Sequence, residues 1–181
     1  MPNFATFADM RRINTDMGGQ SRALVENFAK TPSAKDTFLS HSSKDAEFLP
    51  AIIKVLQDHG ASVYCDLEDS SLPGEPNPDT AQIIQTMITC CKRLVVFITP
   101  NSKDSKWVPW ELGIADATHG GQQVALFPVA ASSYEQTWAQ QEYLGLYSHI
   151  VWGPLQSYAK DVWMVYDYRK NQATELSNWC R

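Results

Sequence analysis

Chemistry in this chain concentrates in three short stretches, DTFLSHSSKD (36–45), DLEDSSLPGE (66–75) and SKWVPWELGIAD (105–116). Each has a seryl, acidic or glycyl turn at the end of an apolar run. The third adds one carboxylate, Glu111, just inside a predicted helix start. A carboxylate so placed can hold hydroxyl groups and offset positive charge that develops on a bound substrate. It does so only if the three stretches meet. In a parallel α/β sheet they meet, because segments following successive strands converge on one edge, where ligands bind. Glu111 is therefore the leading candidate for a functional residue.

The elements that would position it can be read from periodicity. DTFLS (36–40) reads as a first strand. Ser42 and Ser43 supply cap oxygens, and Phe48/Leu49, Ile52/Ile53 and Leu56 recur at helical spacing until His59–Gly60. ASVYC (61–65) is β-branched and aromatic, a second strand. DLEDSSLPGEPNPD is a long exposed loop. Thr80–Cys91 carries another helical stripe, and RLVVFITP (93–100) is continuously apolar, as a central strand buried on both faces must be. VPWELGIADATHG is the next helix, with Pro109 in its first turn, where a missing N–H costs nothing. QVALFPVA (123–130) and HIVWG (149–153) are strands four and five, and residues 158–180 carry a final helix. This order predicts an α/β, flavodoxin-like doubly wound fold: a mostly parallel five-stranded sheet with helices on both faces. Residues 1–34 read as an N-terminal helical extension, with an amphipathic helix over 21–30 capped by Ser21, and 35–181 as the domain proper.

Composition excludes several function classes. A chain of 181 residues with 44% hydrophobic content can build one domain with a sizeable core. A net charge of −5 with scattered Lys and Arg gives no electrostatic case for nucleic acid or an anionic membrane. No run approaches the roughly 20 apolar residues of a membrane span. The N-terminus lacks a signal-peptide core, so a cytoplasmic location is expected. Cys65, Cys90, Cys91 and Cys180 lack CxxC spacing with a nearby histidine, so reduced thiols and no metal are expected.

Absent motifs narrow the field further. There is no GxGxxG after the first strand, no GxxxxGK[ST], no GxSxG and no HExxH. A response-regulator reading needs acids at the end of strand one and an aspartate closing strand three. Strand one ends instead in Ser40–His41, and strand three in Thr99–Pro100.

The three stretches resemble those of the TIR (Toll/interleukin-1 receptor) domain family. DTFLSHSSKD resembles its opening strand and loop. GASVYCDLEDSSLPGE resembles strand two and the BB loop, with Leu72, Pro73 and Gly74 in the usual places. SKWVPWEL resembles the serine, tryptophan, cysteine and glutamate signature of the third helix. The resemblance runs from about residue 35 to 155. It implies cleavage of NAD⁺ at the nicotinamide–ribose bond, because the glutamate separates TIR enzymes from TIR domains that only assemble. NAD⁺ is then the substrate and no cofactor is implied. The product is ADP-ribose or a cyclic ADP-ribose isomer. The closest analogy is the stand-alone bacterial TIR enzyme of Thoeris-like anti-phage defence, which signals to a separate effector protein and works through TIR–TIR self-association. The rival reading is a non-enzymatic TIR–TIR interaction scaffold.

By the same resemblance, Glu111 is the catalytic carboxylate and Trp107, one turn earlier, lines the nucleotide pocket. Nicotinamide leaves as a neutral amine from a cationic pyridinium, so no general acid is required and one carboxylate suffices. The helix dipole is expected to keep Glu111 ionised. Leu72, Pro73 and Gly74 are expected at the substrate through the BB loop. Ser105 either caps the helix or orients Glu111. Phe38 is core with one edge on the pocket, and Ser40 at the end of the first strand is expected at the substrate. His41 is either a substrate contact or a solvated loop histidine, and Asp66 either touches substrate or holds the BB loop. Two positions depart from the pattern. Val108 stands where the family has its cysteine, and Ser42 where some relatives carry a basic residue.

Overall fold

The computed structural model describes residues 2–18, 35–66, 77–132 and 142–181. Eight strands are present among them: β1 (Ala5–Thr6), β2 (Thr37–Ser40), β3 (Val63–Tyr64), β4 (Arg93–Ile98), β5 (Val124–Ala130), β6 (Ser148–Gly153), β7 (Val162–Asp167) and β8 (Gln172–Glu175). The helices are α1 (Phe7–Met17), α2 (Leu49–Asp58), α3 (Pro78–Cys90), α4 (Trp107–His119) and the short α5 (Leu176–Trp179). None is long and apolar enough to cross a membrane.

All five strands read from the sequence are present, in the order β3-β2-β4-β5-β6, and every pairing among them is parallel. The chain reverses direction across the sheet between β3 and β4, on either side of β2. In open α/β sheets that switch point opens a crevice at the carboxyl ends of the strands. Ser40 sits there, paired in register with Val96 of β4.

Alternation along β2 divides the core. Phe38 faces one layer, with Ile84, Ile88, Val108 and Leu112 of α3 and α4. Leu39 faces the other, with Met10 of α1 and Ile52, Ile53 and Leu56 of α2. Successive strand side chains point to opposite faces, so Ser40 shares the Phe38 face and looks toward α4.

The strand count corrects the five-stranded expectation. The sheet has eight strands, because residues 158–180 form an antiparallel β7–β8 hairpin rather than a helix, leaving only the four-residue α5. Both faces of β7 are covered: Met164 joins one core layer and Val165 the other. A strand apolar on both faces shows no clean two-residue alternation, which hides it from periodicity. Asn171, at φ 52°, closes the hairpin in the left-handed region that asparagine tolerates.

The remaining addition is β1, which pairs in parallel with the end of β5 at Ala5–Val129 and Thr6–Ala130. Asn3 bridges to Trp152 of β6 through two backbone hydrogen bonds. This segment therefore fills the gap where β5 and β6 diverge. Thr6 caps α1 by accepting from the Asp9 amide, and the Asp9 carboxylate accepts from the Thr6 amide in return. The candidate helix over 21–30 lies outside the described residues.

Met10 is fully buried where α1 meets the core. Met10→Ala is expected to lower the unfolding free energy by about 2–4 kcal/mol, the usual cost of truncating a buried methionine. A urea titration checks it, and a loss under about 0.5 kcal/mol would show that α1 is not docked.

Candidate functional site

Glu111 is the fifth residue of α4, beyond the first turn, and is only 3% exposed. The helix start is set by Ser105, whose Oγ accepts from the Val108 amide at 3.3 Å. Pro109 follows, within the first four residues, whose N–H groups have no helical acceptor. At the far end, His119 Nε2 donates to the Ile88 carbonyl oxygen at 2.9 Å, tying α4 to α3. The carboxyl end of α4 is thus tied to α3.

Ser40 Oγ, itself buried, donates to Glu111 Oε2 across the gap between β2 and α4. The Phe38 face of β2 continues beneath this contact. Phe38 is fully buried, with its ring 5.3 Å from that of Tyr64 on β3. It forms the floor under Ser40 rather than a surface.

The environment acts on the carboxyl in a definite order. Burial pushes the Glu111 pKa up to about 8, the Ser40 hydrogen bond opposes that shift, and the nearby Asp66 charge adds to it. This corrects the expectation that the helix dipole keeps Glu111 ionised. The dipole effect fades within the first turn, whereas removal from water acts on the whole charge. In the free protein the group is mostly protonated at neutral pH.

His41 and Asp66 follow β2 and β3 and meet at 3.5 Å between Nδ1 and Oδ1. Cys65 Sγ lies 3.8 Å from the same imidazole nitrogen. Trp107 opens α4, half-buried, with its ring edge-on to Trp110 at 5.5 Å. Glu111 lies four positions after Trp107, so both occupy one face of the helix. Ser40, His41, Asp66, Trp107 and Glu111 therefore converge from β2, β3 and α4. Ser105 is engaged as a cap. Leu72, Pro73 and Gly74 lie outside the described residues.

One supporting network escaped the sequence. Asp45 is 1% exposed and accepts from Thr99 Oγ1 and Asn101 Nδ2, each at 2.7 Å. Ser102 Oγ accepts from the Thr99 amide and donates to the Phe97 carbonyl. These bonds join the segment after β2 to the segment after β4, the two sides of the switch point. The only sequence signal was a cluster of small polar residues, Thr99-Pro-Asn-Ser, directly after an apolar strand.

Comparison with known proteins places this arrangement. Residues 37–162 match the model of the TIR domain family. A protein of Bacillus cereus (strain MSX-D12) named "Probable 3' cyclic ADP-D-ribose synthase ThsB'" is 37% identical over 147 residues, covering 80% of this chain and 74% of that protein. A Cytobacillus dafuensis protein named "Putative cyclic ADP-D-ribose synthase TIR2" is 32% identical over 94 residues, covering 50% of this chain and 25% of that one. A metazoan TIR-STING receptor structure from C. gigas aligns with TM-score 0.43 and 20% identity, covering 55% of this chain and 32% of that one.

A raised carboxyl pKa makes a prediction with a fixed sign. Above an ordinary unfolded value the denatured chain loses its proton first, so Glu111 destabilises the fold increasingly as pH rises toward about 8, and no further beyond it. Glu111→Gln is expected to match wild type in melting temperature near pH 4 and to exceed it at pH 8.5, by differential scanning calorimetry. Equal melting temperatures at both pH values would place the carboxyl in water.

Proposed function

This chain belongs to the TIR domain family, and from that premise we propose that it cleaves NAD⁺ at the nicotinamide–ribose bond and closes the remaining ADP-ribose into a cyclic isomer. The relatives named as cyclic ADP-D-ribose synthases support this reading, the first along four-fifths of the chain. The observation that carries it is the buried Glu111 carboxyl held by Ser40 at the switch point. A domain that only assembles gains nothing from a dry carboxyl that weakens its own fold. A site that must meet a cation does.

The chemistry follows from charge. The nicotinamide ring of NAD⁺ is a pyridinium, and its positive charge beside Glu111 favours the carboxylate, so substrate binding expels the proton that burial retained. As the glycosidic bond breaks, its electron pair leaves with nicotinamide, which departs neutral. Positive charge moves to the ribose ring. The Glu111 carboxylate faces that charge in a water-poor setting, where electrostatic stabilisation is strongest. Ser40 fixes Oε2, leaving Oε1 for a ribose hydroxyl. A hydroxyl or nitrogen elsewhere in the same molecule then captures the sugar cation. Where the nucleophile is a hydroxyl it surrenders its proton, and a carboxylate with a raised pKa is a competent acceptor near neutral pH. The balance is NAD⁺ to cyclic ADP-ribose, nicotinamide and one proton. Water as nucleophile gives ADP-ribose instead.

Trp107, on the Glu111 face of α4, supplies a ring for the adenine or nicotinamide to stack on. Phe38 acts beneath the site. His41 and Asp66 offer polar contacts at its rim, and Leu72, Pro73 and Gly74 are assigned to the neighbouring loop by the family pattern. No cofactor is required. In this reading the protein works as a TIR–TIR assembly, and the nucleotide product signals to a separate effector in anti-phage defence.

Two outcomes test the proposal. Concentrated protein incubated with NAD⁺, with and without a crowding agent, is expected to release nicotinamide, measured by chromatography. Glu111→Gln is expected to lower the rate by at least about a hundredfold with the fold intact by circular dichroism. Equal release by the variant removes Glu111 from the mechanism. The pH profile of kcat/KM reports the free enzyme, so it is expected to rise with pH to a plateau above about 8. A profile flat from pH 6 to 9 contradicts that assignment.

A further inference from the structure

We propose that His41, Cys65 and Asp66 form a binding site for a borderline-soft divalent cation of the zinc class. The three residues come from the ends of two adjacent strands, so no spacing in the sequence announces them. Imidazole Nδ1, thiol Sγ and a carboxylate oxygen all lie within 4.8 Å of one another. The nitrogen is 3.8 Å from the sulfur and 3.5 Å from the oxygen. Around tetrahedral zinc, with ordinary bond lengths, the corresponding ligand separations are about 3.5 Å and about 3.3 Å. The two separations that involve the imidazole nitrogen are thus within a few tenths of an ångström of those a metal requires, and the sulfur and the carboxylate oxygen lie within 4.8 Å of each other.

Ligand chemistry selects the metal class. A thiolate, an imidazole and one carboxylate suit zinc-like ions, whereas magnesium and calcium take oxygen ligands. The charges also balance: one thiolate and one carboxylate neutralise a divalent ion, which suits a site where the Cys65 residue is 4% exposed and the His41 side chain 5%. The Asp66 side chain, 28% exposed, gives the ion a route in. On binding, the Cys65 thiol loses its proton to solvent, Nδ1 of neutral His41 donates its lone pair, and Nε2 keeps the ring proton. Three protein ligands leave a fourth position for water. The metal site adjoins Glu111, whose carboxyl feels the Asp66 charge. Metal and substrate would therefore draw on the same two polar side chains, His41 and Asp66.

The test uses the full chain, stripped with a chelator, and Co²⁺ as a spectroscopic probe that occupies tetrahedral nitrogen–sulfur sites. One equivalent of Co²⁺ is expected to produce intense visible d–d bands and a thiolate-to-metal charge-transfer band in the near ultraviolet. Cys65→Ser is expected to abolish the charge-transfer band, and Cys90→Ser, which removes an exposed thiol, to leave it intact. His41→Asn and Asp66→Asn are each expected to weaken Co²⁺ binding at least about tenfold, which keeps the test decisive if Cys65→Ser fails to fold. A wild-type protein without the charge-transfer band overturns the site. So does a band that survives Cys65→Ser, or affinity unmoved by both His41→Asn and Asp66→Asn.

Discussion

The contact on which this molecule turns is a hydroxyl meeting a carboxyl in a dry place: Ser40 Oγ on Glu111 Oε2. Burial opposes ionisation, the seryl hydrogen bond favours it, and burial wins in the free protein. The result is a group poised rather than fixed. A nearby positive charge acts in the same direction as the seryl hydrogen bond, and in the proposed reaction the substrate's pyridinium brings one. In the proposed reaction, recognition of a cationic substrate and generation of the Glu111 carboxylate become one event.

Much of the fold exists to hold two atoms that far from water. Glu111 depends on the axis of α4, which Ser105 starts and His119 anchors. Ser40 depends on β2, paired on both sides by β3 and β4. Asp45 then binds the segment after β4 to the segment after β2, joining the two sides of the switch point. At the other side of the sheet, β1 and Asn3 fill the divergence between β5 and β6, and α1 covers the core beside α2. Residues 2–18 are thus packed on the same sheet as the strands that build the site.

The parts legible in the sequence were those with a single, strong period. Ile52, Ile53 and Leu56 announced α2, and the continuous run from Arg93 to Ile98 announced a central strand. Both follow from one face, or both faces, being buried in the usual way. The hairpin over Val162–Glu175 was not legible, because Met164 and Val165 enter different core layers and blur the alternation. Glu111 was found by type and position, but its charge state was misjudged: helix position is written in the sequence, whereas depth of burial is a property of the packed chain. The Asp45 network and the meeting of His41 with Cys65 were invisible for a related reason. They join residues 54 and 24 positions apart, and only the sheet brings those together.

One buried carboxyl, in the proposed reaction, changes protonation state on meeting a cationic substrate. Carbon-13 NMR of a selectively labelled Glu111 side-chain carboxyl tests it most directly, titrated in the free protein and again with a slowly reacting NAD⁺ analogue that keeps the pyridinium charge. An inflection near pH 8 is expected in the free protein, with a clear fall when the analogue binds. An inflection in the ordinary carboxylate range, or one that the analogue leaves unmoved, would contradict it.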